Sequence, residues 1–454
     1  MNTELWNQIL QFDLDTPPGE YGFSTRLANE NFWTKNFTEQ AILEYKKFMY
    51  LAATSDLMVS PSEIVDVVWH QHLIFTQSYQ DFCTLLGKQI QHVPSTHNKE
   101  EYEKFKQAKE RMGRLYQNTF GEQPKNVWSY SDMYESLNLP KARLKIRSFI
   151  IGGILAFALL IGPSYFLLKP VYITINNPYF IIGFISLTIL VFIGLEIFNR
   201  KRLKDIVDQI DKASFVYNLQ PLELVYLKTQ KLSPVINGIV NELIDNKTII
   251  VNADNTLETS GYGIAQSIEQ LQVLNVLNSS GRTHYPFLLG QLATKPIFWN
   301  TANSMDAFKK YFTKSKKFGS LFYLNFSILD LLFMLGFIRL STGIIRDKPV
   351  TQIVIALVVL AIFIIMYLDR LTELVCTSTI PDLYKHEILP ARQIEEDWQW
   401  SYFLFGTSVL TTSFAPVVDY VERNNRHSGG SCGSSCGSSC GSSCSSCGGC
   451  GGGD

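Results

Sequence analysis

Four long apolar segments, at 149–168, 179–198, 319–340 and 350–368, constrain what this 454-residue chain can fold into more than any other feature. A helix rises about 1.5 Å per residue, so about 20 apolar residues cross a hydrocarbon layer of about 30 Å. The first two segments carry no charge except Glu196, which lies one helical turn before Arg200 and can pair with it. A soluble helix of this length normally shows a polar stripe, and these segments show none. The sequence therefore predicts a mainly α, polytopic membrane protein whose first partner is the lipid bilayer.

Basic residues beside the segment ends set the expected orientation. Lys141, Arg143, Lys145 and Arg147 precede the first segment, Arg200, Lys201, Arg202 and Lys204 follow the second, and Lys309, Lys310, Lys314, Lys316 and Lys317 precede the third. The loop between the first two holds only Lys169, and Arg339, Arg346 and Lys348 weaken the asymmetry without reversing it. Both termini and the middle region are expected on the cytoplasmic side of a cell membrane, as in a bacterial plasma-membrane protein. Residues 1–10 lack the basic start and apolar core of a removable export signal. A fifth crossing at 402–418 is the competing topology; it would place Arg423 and Arg426 outside, against the charge rule.

The third segment carries Asn325 and, near its midpoint, Asp330. A carboxylate at that depth costs a few kcal/mol on insertion scales, so Asp330 is expected to face other helices and to be paired or protonated, with Thr188 at a similar depth. An ion or proton site and an interior hydrogen bond are both open readings. The second is simpler, because no other intramembrane charge accompanies it. Gly152/Ala156 and Ala158/Gly162 supply small-residue spacings for close packing by the first segment.

Residues 1–140 read as a soluble helical domain. Asn36 with Glu39 resembles a capping box, and Ser60-Pro61-Ser62-Glu63 a second helix start, continuing through Val65, Trp69, Leu73 and Tyr79 toward Gly87. Asn98 with Glu101 marks another. Asp66 and His70 share a helix face at i,i+4, and His92 can join them after a turn, giving an open zinc-like set. The alternative is a polar core cluster in which Asp66 holds the His70 ring while His72 and Cys83 pack inside. His70 and His72, about 200° apart on a helix, cannot bind one metal together.

Tyr21-Gly22-Phe23-Ser24-Thr25-Arg26-Leu27-Ala28-Asn29-Glu30-Asn31, Glu44-Tyr45-Lys46-Lys47-Phe48, Val65-Asp66-Val67-Val68-Trp69-His70-Gln71-His72, Tyr79, Cys83, His92-Val93-Pro94, Phe120-Gly121 and Trp128 together carry a resemblance. This stretch resembles the helical domain of glycine-rich domain-containing proteins of plants and bacteria. It departs after Pro94, where Ser95-Thr96-His97 stands in place of a glycine-rich step. The resemblance implies a domain and no particular reaction.

The middle region, 201–318, reads as a small winged-helix-like α+β module. A helix from Pro221 is followed by one opening at Ser233-Pro234, then a hairpin of 248–251 and 256–259 around Asp254-Asn255. Nucleic acid is disfavoured as a partner: the second helix carries Glu242 and Asp245 against Lys247, and 40 basic against 41 acidic residues leave a net charge of −1. Leu222-Glu223-Leu224-Val225-Tyr226-Leu227, the 233–246 helix and Asp347-Lys348-Pro349-Val350 are similar to an uncharacterised bacterial membrane-protein family whose members often end in glycine- or cysteine-rich tails. Residues 369–427 are expected to form a cytoplasmic helical segment.

Residues 428–454 form a low-complexity tail of Gly, Ser and Cys closed by Asp454, with no apolar side chain other than cysteine, and are expected to be disordered. Cys432, Cys436, Cys440, Cys444, Cys447 and Cys450 allow thiolate binding of zinc or copper(I) in a reducing compartment, cross-linking in an oxidising one, or neither. Gly433-x-Ser435-x-Gly437 matches a hydrolase elbow only through the repeat. With no His-Glu-x-x-His and no phosphate loop, no reaction is assigned to the chain, and an intramembrane or soluble hydrolase is the least supported reading. Binding or scaffolding at the membrane is the expected role, metal binding or sensing the alternative, and no protein partner is specified.

Overall fold

The computed structural model describes residues 2–93, 99–261, 263–392 and 397–427. The chain is mainly helical with one small sheet, and it divides into two compact units: Met1–Gln230 with Trp299–Leu404, and Lys231–Phe298 with Phe405–Asp454. The Cys/Gly/Ser tail and the expected cap at Asn98 lie outside the described residues.

The first unit begins with α1 (Thr3–Gln11), α2 (Phe23–Asn31), α3 (Lys35–Thr54), α4 (Glu63–Ile74), α5 (Thr76–Leu86), α6 (Lys99–Phe120) and α7 (Lys125–Trp128). Helix α3 is central because it is apolar on most of its circumference, burying Phe37, Ala41, Tyr45, Phe48 and Met49 among α1, α2, α4 and α6. Its cap corrects the sequence reading. Thr34, not Asn36, is the N-cap, with Oγ1 accepting from Phe37 N at 3.4 Å while the Trp33 ring packs on Phe37. Likewise Ser62, not Ser60, caps α4 by accepting from Val65 N at 3.2 Å, and Pro61 stands before the helix.

The single helix expected to run toward Gly87 is two helices, because Phe75 (φ −87°, ψ 64°) breaks it. The Phe75 ring packs on Phe23, and the break folds α5 back so that Tyr79 and Phe82 face the same interior as His72. Buried Glu44 joins three elements: it accepts from Lys47 Nζ at 2.7 Å, Tyr116 Oη at 2.8 Å and Trp128 Nε1 at 2.7 Å. Each donor removes part of the cost of burying the carboxylate.

Next come α8 (Ile146–Thr174), α9 (Asn177–Asp208) and α10 (Pro221–Thr229). The second unit then contributes α11 (Leu232–Asp245), β1 (Ile249–Val251), β2 (Thr256–Thr259), α12 (Ile268–Ser280), β3 (Thr283–His284) and α13 (Tyr285–Leu292). The hairpin turns at Asn255, whose φ of 63° suits asparagine, and β1-β2-β3 form one antiparallel sheet with Ile250 opposite Glu258 and Leu257 opposite Thr283. The short third strand and α12 escaped the sequence reading: two residues of strand carry no alternation to detect. The helix containing Ser233-Pro234 opens at Leu232, with both residues inside its first turn.

The chain closes with α14 (Pro296–Thr313), α15 (Lys316–Ile345), α16 (Thr351–Arg392), α17 (Trp398–Phe405) and α18 (Ala415–His427). Helix α16 runs well past the apolar segment. It contains two π turns, Val375–Thr379 and Tyr384–Ile388, each just before a proline (Pro381, Pro390) that cannot donate to the carbonyl four residues back. Thr377 and Thr379 hydroxyls donate to Glu373 O and Leu374 O, satisfying carbonyls there. The 402–418 stretch is not one helix: Gly406, at φ 65°, separates short pieces, and no helix there is long enough to cross a membrane.

Helices α8, α9, α15 and α16 are each long and apolar enough to cross a membrane. Helix α15 is the hub, packing against the other three. Leu332 with Phe184, Ile353, Leu357 and Leu360 forms one apolar cluster, and Met334 and Ile338 with Tyr172 a second. The expected close-packing spacings do not serve this purpose. Nothing approaches Gly152 or Gly162, whereas a Cβ at Gly153 would strike the Phe326 ring and one at Gly336 would strike Phe184 and Leu357.

Polar contacts tie the helices together at two places. Asn199 and Asn325, both fully buried, exchange amide hydrogen bonds at 2.8 and 2.7 Å, and Asn199 also donates to Tyr367 Oη at 2.8 Å. That network joins α9, α15 and α16. Arg339 donates to Tyr172 O, to Ile175 O at 2.9 Å and to Asn177 Oδ1 at 3.4 Å, and its guanidinium lies 4.9 Å from the Phe180 ring centre. A cation thus meets the C-terminal carbonyls of α8, where the helix dipole favours it. Glu196 accepts from Arg200 at 2.7 Å as expected, and also takes both terminal nitrogens of Arg370 at 2.9 and 3.2 Å.

Candidate metal-ligating cluster and cleft

Helical periodicity puts Asp66 and His70 on one face of α4, and the ion-pair geometry follows: His70 Nε2 lies 3.4 Å from Asp66 Oδ2. His92 arrives from another direction. Helix α5 ends at Gly87, whose φ of 67° is the left-handed conformation glycine adopts without strain, and the chain turns back along α4. His92 Nε2 then sits 2.9 Å from Asp66 Oδ1. One candidate ligand atom from each of the three residues falls within 4.8 Å of the others.

The returning segment is held by a relay from the same helices. Trp69 Nε1 donates to Tyr79 Oη at 3.1 Å, and Tyr79 Oη donates to Ile90 O. The His92 ring lies edge-on to Trp69 at 4.6 Å and to His70 at 4.3 Å. Lys88 Nζ donates to Ala52 O at 3.0 Å and Ser55 O at 2.7 Å, closing the C-terminal end of α3. Its charge suits that helix end.

Asp66, Trp69 and His92 form one side of a cleft of about 400 Å³. Phe48, Val59, Ile90 and Phe105 provide apolar wall, and Ser60, Ser62, Glu63 and Lys88 polar positions. Arg111 braces the 55–62 loop by donating to Met58 O. His70 stands outside the cleft and is exposed.

His72 belongs elsewhere. It points into the domain interior, with Nδ1 2.8 Å from Tyr45 Oη and Nε2 3.1 Å from Ser78 Oγ, among the rings of Phe23, Tyr79 and Phe82. Burial pushes its pKa down to about 4, so the ring is neutral at physiological pH. Cys83 is buried in the same interior. Asp330 is half-buried on α15 and meets no hydrogen-bond or ion-pair partner among the described residues; Thr188 instead donates to Phe184 O of its own helix. Of the two states expected for Asp330, paired or protonated, the first has no partner among the described residues and the second stays open. Cys432, Cys436, Cys440, Cys444, Cys447 and Cys450 all lie outside the described residues.

Sequence reasoning passed over Glu223. Its side chain is buried, accepts from Gln220 N at 2.8 Å in its own capping box, and accepts from Lys35 N at 2.9 Å at the start of α3. Burial pushes its pKa up to about 7 against those donors. Only the Gln220-Pro221-x-Glu223 spacing signalled the first contact, and no local pattern could signal the second, 188 residues away.

The family described as UCP032817-like matches residues 25–122, a stretch that contains Asp66, His70, His92 and the Trp69–Tyr79 relay. No curated protein and no solved structure matches the chain.

Proposed function

We propose that this chain is a polytopic membrane protein in which α8, α9, α15 and α16 cross the bilayer and the N-terminal helical domain is a binding module held at its surface. The observation that carries this reading is the outward face of the long helices. Leu159, Phe166 and Leu167 of α8 and Tyr179 and Leu190 of α9 are all about two-thirds exposed or more. Such exposure is untenable in water and ordinary against lipid.

Both termini lie on the cytoplasmic side of a bacterial plasma membrane, on the charge asymmetry of the flanking loops. The N-terminal domain is of the kind found in glycine-rich domain-containing proteins, and the membrane half is of the bacterial family with glycine- or cysteine-rich tails. The braced cleft beside Asp66 and His92 gives the domain a place to hold a small ligand, with apolar walls for affinity and a few polar groups for orientation. The winged-helix-like module of α11, β1, β2 and β3 serves protein contact, since Glu242 and Asp245 on α11 would repel phosphates.

Two measurements test this reading. Labelling of the tail thiols with a membrane-impermeant maleimide should fail in intact cells and succeed after permeabilisation; labelling of intact cells would refute the topology. A thermal-shift screen of small molecules on the detergent-solubilised full chain should yield ligands whose stabilisation disappears in Phe105→Arg, which fills the cleft with a charge. Ligands indifferent to that substitution would remove the cleft as the binding place.

A further inference from the structure

We propose that Asp66, His70 and His92 bind one divalent transition-metal ion of zinc type, through a carboxylate oxygen and the two Nε2 atoms. The site stands on its own geometry and does not depend on what the cleft binds. In a tetrahedral zinc centre with bonds of about 2.0–2.1 Å, neighbouring donor atoms lie about 3.3 Å apart. Here Asp66 Oδ1 stands 2.9 Å from His92 Nε2 and the other carboxylate oxygen, Oδ2, 3.4 Å from His70 Nε2, and one ligand atom from each of the three residues lies within 4.8 Å of the others.

One carboxylate faces two imidazoles whose ring centres are 4.3 Å apart, so one oxygen donor group and two nitrogen donors converge on one point. The donor set of nitrogen and oxygen without a thiolate suits zinc and its late first-row neighbours and disfavours copper(I).

The surroundings hold the ligands in place before an ion arrives. His92 is fixed by the Trp69–Tyr79–Ile90 relay and by Trp69 edge-on at 4.6 Å. The helix fixes the Asp66–His70 spacing. His72 cannot compete, because both its nitrogens have partners on the opposite face of α4. With three protein ligands the ion keeps an open position, and Asp66 and His92 both border the cleft, so an exogenous donor can enter there.

The test uses the full chain in detergent, stripped with chelator, with the six tail cysteines replaced by serine so that thiolates contribute nothing. Titration with cobalt(II) should give one equivalent bound, with the visible bands of a four- or five-coordinate nitrogen/oxygen site, displaced by zinc. Asp66→Asn and His70→Ala should each weaken binding at least tenfold. His70 is exposed, so its replacement leaves the fold unstrained, and an unchanged melting temperature without metal confirms that loss of binding is not loss of folding. No cobalt binding at millimolar metal, or binding that neither substitution weakens, would overturn the assignment and leave the cluster as ion pairing only.

Discussion

The N-terminal helices and the four long helices use the same kinds of side chain in opposite directions. In the first, Tyr45, Phe48 and Phe82 are buried, and the interior polar groups Glu44 and His72 have partners at every functional atom that needs one. In the second, Leu159 and Leu167 are 78% and 76% exposed, and the interior is joined by the Asn199–Asn325–Tyr367 network. Water drives apolar groups inward in one region. On the proposed membrane reading, lipid removes that drive in the other and leaves shape and hydrogen bonds to hold helices together.

If that contrast is right, polar deletions should cost most where the folded interior is dry and the unfolded chain is wet. Glu44→Ala strands Tyr116 Oη, Trp128 Nε1 and Lys47 in the N-terminal interior, and a loss of about 3–5 kcal/mol is expected, read by hydrogen exchange across α3, α6 and α7 in the full chain. A loss below about 1 kcal/mol would mean that water reaches Glu44.

Glu223 extends the comparison to pH. Its folded pKa of about 7 lies above the ordinary carboxylate value of 4.5, so the native state binds the proton more tightly than the unfolded one. Its contribution is fully present below pH 4.5 and is lost as pH rises through 7, by up to about 3 kcal/mol. Glu223→Gln should flatten that part of the stability profile, measured by urea unfolding between pH 4.5 and 8. An unchanged slope would assign the dependence to other groups.

In the long helices the effects should be smaller, because the unfolded helices in lipid also find partners. Asn325→Leu is expected to cost about 1–2 kcal/mol, and Asn199→Leu with Asn325→Leu together less than the sum of the two single changes, in a double-mutant cycle on reconstituted protein. The smallest effect should come from Asp330→Asn. Since Asp330 has no partner among the described residues, stability should stay within about 0.5 kcal/mol of the parent. A larger loss would reveal an ion held by the charged carboxylate and support the functional reading of that residue.

The Asp66–His70 pair could be read directly from the sequence because an α-helix fixes which residues share a face. The same is true of Glu196 with Arg200. His92 could only be suspected: its arrival depends on the break at Phe75, the left-handed turn at Gly87 and the hydrogen bonds from Trp69 and Tyr79. The cap at Thr34 in place of Asn36 shows the same limit at short range, since several residues in a row can cap and tertiary packing of Trp33 and Phe37 selects one.

The apolar segments determined by themselves that four helices of membrane-crossing length would form, because length and hydropathy are local properties of the chain. Which faces of those helices meet was decided by the tertiary structure: Gly153 and Gly336 accept neighbouring rings while Gly152 and Gly162 face outward. The amide pair of Asn199 and Asn325, 126 residues apart, and the second hold of Arg370 on Glu196 were settled there too. Small-residue spacing tells where a helix can be approached closely. Only the neighbour's own surface determines whether anything approaches.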